Sequence, residues 1–328
     1  MAIVNAELKA YRSKVVTNTA TNGGRLSSNE AVSGVANNIF PDAFADEILA
    51  GVTHFRKVFM KVADSENLTL NGAFAYLKNI TLADSRYRLF SATQTDTQAD
   101  ILTPRYYGAG ALVGDVSASD ITITVDTEPG GGVDLIFQDG DLLVISDGTS
   151  VEKATIAAGG VSWATDQATV TLTAGLLNSY AAATPTNVSS LLEQASVSTS
   201  FDGFTVTSAS GTYDDTGSPV GLDNIGSVEE NWTLTFSDAT NFSVSGDTVG
   251  AVGSGTVGVD FSPVNVDFSR DYFTLLAAGF GGTFAVAETI VFSTHPAALP
   301  IWLERIIPAG SASAADLPVL VFGGESAP

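Results

Sequence analysis

The chain has no cysteine, two histidines, two methionines and only 14 lysines and arginines in 328 residues. Without cysteine there is no disulfide framework, no thiolate nucleophile and no cysteine-based metal site. Two histidines argue against a multi-histidine metal centre. No apolar stretch reaches the roughly 18 residues that a membrane-spanning helix needs. The opening Met-Ala-Ile-Val-Asn-Ala-Glu-Leu-Lys-Ala lacks the apolar block of a secretory signal, and we expect no membrane partner. The scarcity of bases against 36 acids gives a formal charge of -22, which repels phosphate and argues against direct DNA binding.

What is present is apolar and glycine-rich: 45% hydrophobic residues and 32 glycines, enough for a folded core despite the charge. The charge is unevenly spread. Residues 1–105 carry 11 bases and 10 acids, residues 106–269 one base (Lys153) and 21 acids, and residues 270–328 two bases and five acids. Composition shifts of this kind mark domain boundaries. They suggest an extended N-terminal arm over 1–30, a body built from 31–109 plus 263–328, and an inserted acidic domain over 110–262.

The pattern throughout is that of strands, and the expected fold class is all-β: a β-sandwich body formed by the N- and C-terminal segments, with an inserted β-rich domain. Ile121-Thr-Ile-Thr-Val125 alternates with the strand period of two. Val133-Asp-Leu-Ile-Phe137, Leu142-Leu-Val-Ile145, Val151 to Ile156, Ala168 to Leu172, Phe204 to Thr207, Trp232 to Phe236 and Phe242 to Val244 are short apolar runs between Asp-Gly and Gly-rich turn signals. One short helix is expected near Leu191 to Ala195. Another is expected over Pro41 to Gly51, where proline stands early, acids fill the first turns and glycine closes. Phe55 to Val62 fits either a helical stripe or a strand, and its neighbours favour a strand. Glu288 to Ser293 and Pro300 to Ile307 read as two more strands. The Gly323-Gly-Glu-Ser-Ala-Pro328 tail reads as exposed.

Catalytic signatures are missing. There is no phosphate-binding G-x-x-x-x-G-K-[ST], no H-E-x-x-H and no G-x-S-x-G. Gly253, Gly255 and Gly258 match G-x-G-x-x-G, but Val-Asp-Phe-Ser-Pro follows where a helix should start, so a glycine-rich turn is expected. His54 and His295 have no local partner pattern for acid–base work. The pairs Asp139/Asp141 and Asp214/Asp215 could hold calcium or act in glycoside cleavage, yet neither matches a calcium loop, and turn chemistry explains both. We therefore expect no catalytic, metal or cofactor site.

The one basic cluster is Arg56, Lys57 and Lys61, with Arg86, Arg88 and Arg105 further on. It reads as a solvated strand face or as a contact with an acidic neighbour in an assembly. With Trp302, the residues Arg56, Lys57 and Lys61 form the candidate interaction set.

Ser33-Gly-Val-Ala-Asn-Asn-Ile-Phe-Pro-Asp42, Leu49-Ala-Gly-Val-Thr-His-Phe-Arg-Lys-Val-Phe-Met-Lys-Val62 and Leu68-Thr-Leu-Asn71 resemble the N-terminal signature of structural proteins from tailed bacteriophages. Leu299-Pro-Ile-Trp-Leu-Glu-Arg-Ile-Ile-Pro-Ala-Gly310 is similar to their C-terminal segment. The resemblance covers both ends and little of the middle. It implies a non-enzymatic virion component near the neck, collar or tail, with itself as a ring-forming homo-oligomer and neighbouring virion proteins as partners. It carries no catalytic residues. The alternatives are a capsid decoration protein, or a carbohydrate-binding module of a host-facing appendage using Trp163, Tyr180, Tyr213 and Trp232 on one exposed face.

Overall fold

The computed structural model describes residues 2–80, 84–312 and 318–326. The fold is all-β, with 49% of residues in strands and 6% in helices. Its strands form a two-sheet body, a closed barrel and a second sheet with its own core.

The body's larger sheet runs in the order Gly23–Glu30, Leu8–Val15, Val52–Val62, Ala298–Ile307 and Arg86–Ser91, all antiparallel. Its smaller sheet runs Leu192–Val197, Leu70–Leu77 and Leu320–Ser326. Val58, Met60 and Val62 of the first share one core with Leu70, Ala73, Ala75 and Leu77 of the second. Chain ends thus meet at the centre, where Val52–Val62 pairs with Ala298–Ile307 over ten registered residues.

Residues 109–190 form a closed six-stranded barrel, ordered Gln167–Leu172, Thr122–Thr127, Ala109–Val113, Asn187–Ser190, Leu142–Ser146 and Val151–Ala164. Alternating inward residues such as Ile123, Val125, Val170, Leu172 and Ile145 fill it. The second unit is a five-stranded sheet, ordered Ser200–Thr207, Thr289–His295, Glu230–Phe236, Asn241–Gly246 and Gly250–Thr256. Its core is aromatic: Phe236 stacks on Phe284 at 3.7 Å between centroids, and buried Trp232 donates from Nε1 to Thr294 Oγ1 at 2.9 Å.

Several local expectations need correction. Residues 8–15 and 23–30, read as an extended arm, form a hairpin in the larger sheet, because Tyr11 and Leu26 bury against Phe59. Val133 to Phe137 is no strand. Gly131–Asp134 is a short helix, Leu135 takes φ 51°, and Ile136 and Phe137 pack into the barrel core. Leu191 to Ala195 is no helix, since Leu192–Val197 pairs with Leu70–Leu77. Leu320–Ser326 is likewise a strand on the other edge of Leu70–Leu77, so the tail is not free over Gly323 to Ser326; Ala327 and Pro328 lie outside the described residues. The acidic stretch 110–262 holds two packed units, and the chain returns to the body between them. The second unit draws Phe273, Ile290 and Phe292 from beyond residue 262, because their apolar faces complete its core. The helix Ala45–Ala50 closes on Gly51 at φ 77°. Val52–Val62 settles the ambiguous block as a strand.

Candidate functional site

The candidate interaction residues are inside the protein. Arg56 is 5% exposed, Lys57 1%, Lys61 0% and Trp302 0%. This corrects the expectation of a basic surface face. Lysines at alternate positions normally mark a strand's wet side, but Val52–Val62 is central in its sheet and covered on both faces. One face meets the body core. The other, with Lys57, Phe59 and Lys61, lies under the N-terminal hairpin and under Phe268 of the second unit.

Each buried cation has a defined setting. Lys57 Nζ reaches Asp96 Oδ1 at 2.7 Å and donates to the Gly24 carbonyl at 2.7 Å. Trp302 Nε1 donates to Asp96 Oδ2 at 2.7 Å, so one carboxylate serves both. Burial pushes the Lys57 amine down, and Asp96 pulls it back up. Lys61 differs. Its Nζ has no hydrogen-bond partner and sits 5.3 Å from the Phe268 ring centroid. Burial pushes it down to about 7, with Asp223 opposing.

A second group of bases joins the units. Arg88 of the body pairs with Asp134 of the barrel and, at 3.0 Å, with Glu304 of the neighbouring strand. Arg105 pairs with Asp141 and donates to the Leu135 carbonyl at 3.0 Å. Lys153, the lone base of the acidic middle, stands 4.1 Å over the Phe74 ring of the body. Arg25 donates to Glu230 Oε1 at 3.0 Å and to the Glu229 carbonyl at 2.5 Å, tying the hairpin to the second unit. Asn224 donates to Asn67 Oδ1 and to the Leu68 carbonyl at 2.7 and 2.9 Å beside it.

The two histidines sit in opposite fields. His54 is buried between Arg305, whose Nη2 is 2.8 Å from Nδ1, and Glu47, whose Oε1 is 3.0 Å from Nε2. Burial, Arg305 and Arg56 hold it below its ordinary 6.5 against the pull of Glu47. His295 faces Glu229 at 2.8 Å and Asp202 at 3.3 Å. Burial pushes it down, but the two carboxylates outweigh that and hold it above 6.5.

No group of three or more His, Asp or Glu side chains able to hold a metal occurs among the described residues. Asp139 accepts from the Gly159 and Gly160 amides, Asp141 pairs with Arg105, and Asp214 caps its own turn through the Gly217 amide. The first pair belongs to the barrel and the second to the other unit, so the four carboxylates do not converge. The aromatic face suggested for sugar binding does not form either. Tyr180, Tyr213 and Trp232 are buried in two different cores, and Trp163 stacks on Phe137. Gly253 and Gly255 lie in an edge strand, and a Cβ on Gly255 would come within 2.7 Å of the Phe242 ring. A shallow groove of about 250 Å³ between body and barrel has Lys78 as its single charged lining residue.

Sequence reasoning missed the joints. By sequence Arg88 and Arg105 fall with the basic cluster, and Arg25 carries no distinguishing mark. A base next to an all-acidic region was the available signal, but which acid it meets depends on tertiary folding.

No protein-family model matches the chain, and no curated protein sequence does. Among solved structures, the chain is similar to a complex of VP16 and VP17, the two major capsid proteins of bacteriophage P23-77. That match has 10% identity, covers 78% of this chain and 89% of that one, and has a TM-score of 0.17. VP17 from the same phage is similar at 11% identity, 78% and 88% coverage and the same TM-score. At that TM-score the likeness carries no argument about fold or role.

Proposed function

We propose that this chain is a non-enzymatic structural protein of a tailed-phage virion, assembling as a symmetric ring in the neck or collar region. The observation that carries the reading is where its scarce bases go. Arg25, Arg88 and Arg105 lock the barrel and the second unit to the body, while Lys57, Lys61, Arg56 and Arg305 lie buried within it. Cations that would serve a nucleic-acid surface instead fix three β units together, and the outer surface is left acidic. Removing one partner from a buried pair of this kind costs several kcal/mol, which suits a part whose units must keep one arrangement. The resemblance of both chain ends to phage structural proteins points the same way.

An acidic surface keeps free copies apart. Contacts between copies then rest on apolar side chains, and Phe44, Leu49, Leu102, Val133 and Leu177 are each more than 70% exposed. Light scattering on the purified protein, with and without EDTA, tests the assembly. A ring-sized mass unchanged by chelation supports the reading. A monomer at every concentration tried overturns the ring, and dissociation by EDTA overturns the metal-free assembly.

A further inference from the structure

The segment 31–51 is a strap across one end of the body. It has no strand of its own, and it exposes Val32, Val35, Phe44 and Leu49 to solvent. Its first half is anchored by the Ala31 amide, which donates to the Ala10 carbonyl at 2.7 Å, and by Phe40 and Ile39, which pack into the body core; polar and cation–ring contacts hold the rest. Arg305 Nη1 donates to the Pro41 carbonyl at 2.9 Å, His54 meets Glu47 at 3.0 Å, and the Phe40 ring lies under both Arg305 and Arg56, with centroids 5.0 and 5.7 Å away. Gly310 adds one backbone bond to the Ile48 carbonyl.

His54 stands at the centre of this fastening. A guanidinium has donors only, so Nδ1 of His54 must accept from Arg305 and its proton must sit on Nε2, toward Glu47. The neutral ring fits both neighbours. A second proton on Nδ1 turns that contact into donor facing donor and places a new charge beside Arg305 and Arg56, against the single carboxylate of Glu47. Tyr87 also faces this group; it pairs in register with Arg305 and packs its ring edge-on against Phe40.

We infer that His54 is a proton-sensitive latch: protonation displaces Arg305, breaks its bond to Pro41 and frees the part of the strap beyond Phe40, residues 41–50, from the body. Hydrogen exchange of the full chain tests this, corrected for the intrinsic effect of pH. The reporters are the Ile48 and Gly51 amides, which bond to the Phe44 and Glu47 carbonyls, and the barrel strand Thr122–Thr127 serves as an internal reference. The expected result is at least a tenfold loss of protection at Ile48 and Gly51 between pH 7.5 and 5, with the barrel unchanged. A His54→Gln variant should lose that pH dependence. Because that variant could fold poorly, the His54 ring is also followed by NMR in the unaltered chain, and its titration midpoint should coincide with strap release. Protection that stays constant down to pH 5, or that falls equally in the barrel, or that falls at a midpoint different from that of His54, overturns the latch.

Discussion

Arg25 and Glu230 are 205 residues apart in the chain and 3.0 Å apart in space, and Glu230 is 1% exposed. Thr248 and Val249 also donate backbone amides to this carboxylate. Burial pushes Glu230 up, but the bonds from Thr248 and Arg25 outweigh it and hold the carboxyl below its ordinary 4.5. It is thus a charged joint made stable by its partners.

Arg25→Ala leaves that carboxylate with part of its partners, and should destabilise the protein by about 2–3 kcal/mol. Lys9→Ala breaks an exposed pair with Glu30 and should cost no more than about 0.5 kcal/mol. Urea midpoints for both variants at pH 7 compare the two. Equal effects would mean that the joint to the second unit contributes nothing special. Glu230 sets a pH window too. Its contribution is present above 4.5 and is lost as pH falls through its lower folded value, so the Arg25 effect should shrink as pH drops below 4.5.

Lys61 should behave in the opposite manner to a stabilising pair. Its amine is buried without a hydrogen-bond partner and is pushed down to about 7, against 10.5 in the unfolded chain. Between those values the unfolded state binds more protons, so this group makes stability rise with pH from about 7 to 10.5. Lys61→Met keeps the length of the side chain and removes the titration. The variant should be more stable than the original by about 1–3 kcal/mol at pH 7, and the gap should close toward pH 10. Denaturation curves at pH 7, 8.5 and 10 measure it. A variant less stable at pH 7 would show that the amine has a partner after all.

Much of the fold was legible because strand period and turn chemistry are local. Ala168 to Leu172 and Trp232 to Phe236 alternate as expected of half-buried strands and are strands; Ile121 to Val125 is one from Thr122 on, with Ile121 exposed outside it. For the other elements the deciding partner lies far along the chain. Leu192–Val197 is a strand because Leu70–Leu77 offers it an edge. Ile136 and Phe137 follow a short helix instead of a strand, and their side chains pack in the barrel core. Lys57 and Lys61 look like solvent-facing residues until Asp96, the hairpin and Phe268 cover them. The joints suffered most, since a lone arginine carries no mark of which carboxylate it will meet.

Gly23 illustrates the same dependence on distant packing. It takes φ 107°, and a Cβ there would lie 2.7 Å from the Trp302 ring and 3.0 Å from the Asp96 carbonyl. Trp302 is wholly buried and cannot retreat. Gly23→Ala therefore meets both a steric clash and an unfavourable backbone, and should cost about 2–4 kcal/mol. Gly24→Ala shares the positive φ but has open space around its Cβ, so its cost should be about 1 kcal/mol. Thermal melts of the two variants separate the clash from the backbone effect. Equal shifts would remove Trp302 from the explanation.

His295 offers a check on the electrostatics of the second unit. The ring lies between Glu229 and Asp202, at 2.8 and 3.3 Å, and is held above its ordinary 6.5. A raised histidine stabilises the fold fully below 6.5, and that contribution is lost as pH rises through the folded value. His54 runs the other way, since it is held below 6.5 and its neutral form fits the fold. The two therefore oppose each other near neutrality, and a single stability curve would hide both. His295→Asn removes one of them. The variant should lose stability relative to the original at pH 6 and match it more closely at pH 8.5, where less of the original ring carries its second proton. Urea midpoints at the two pH values decide the sign. A larger loss at pH 8.5 than at pH 6 would mean that the neutral ring, bonded to Glu229 through Nδ1–H, is the form the fold prefers.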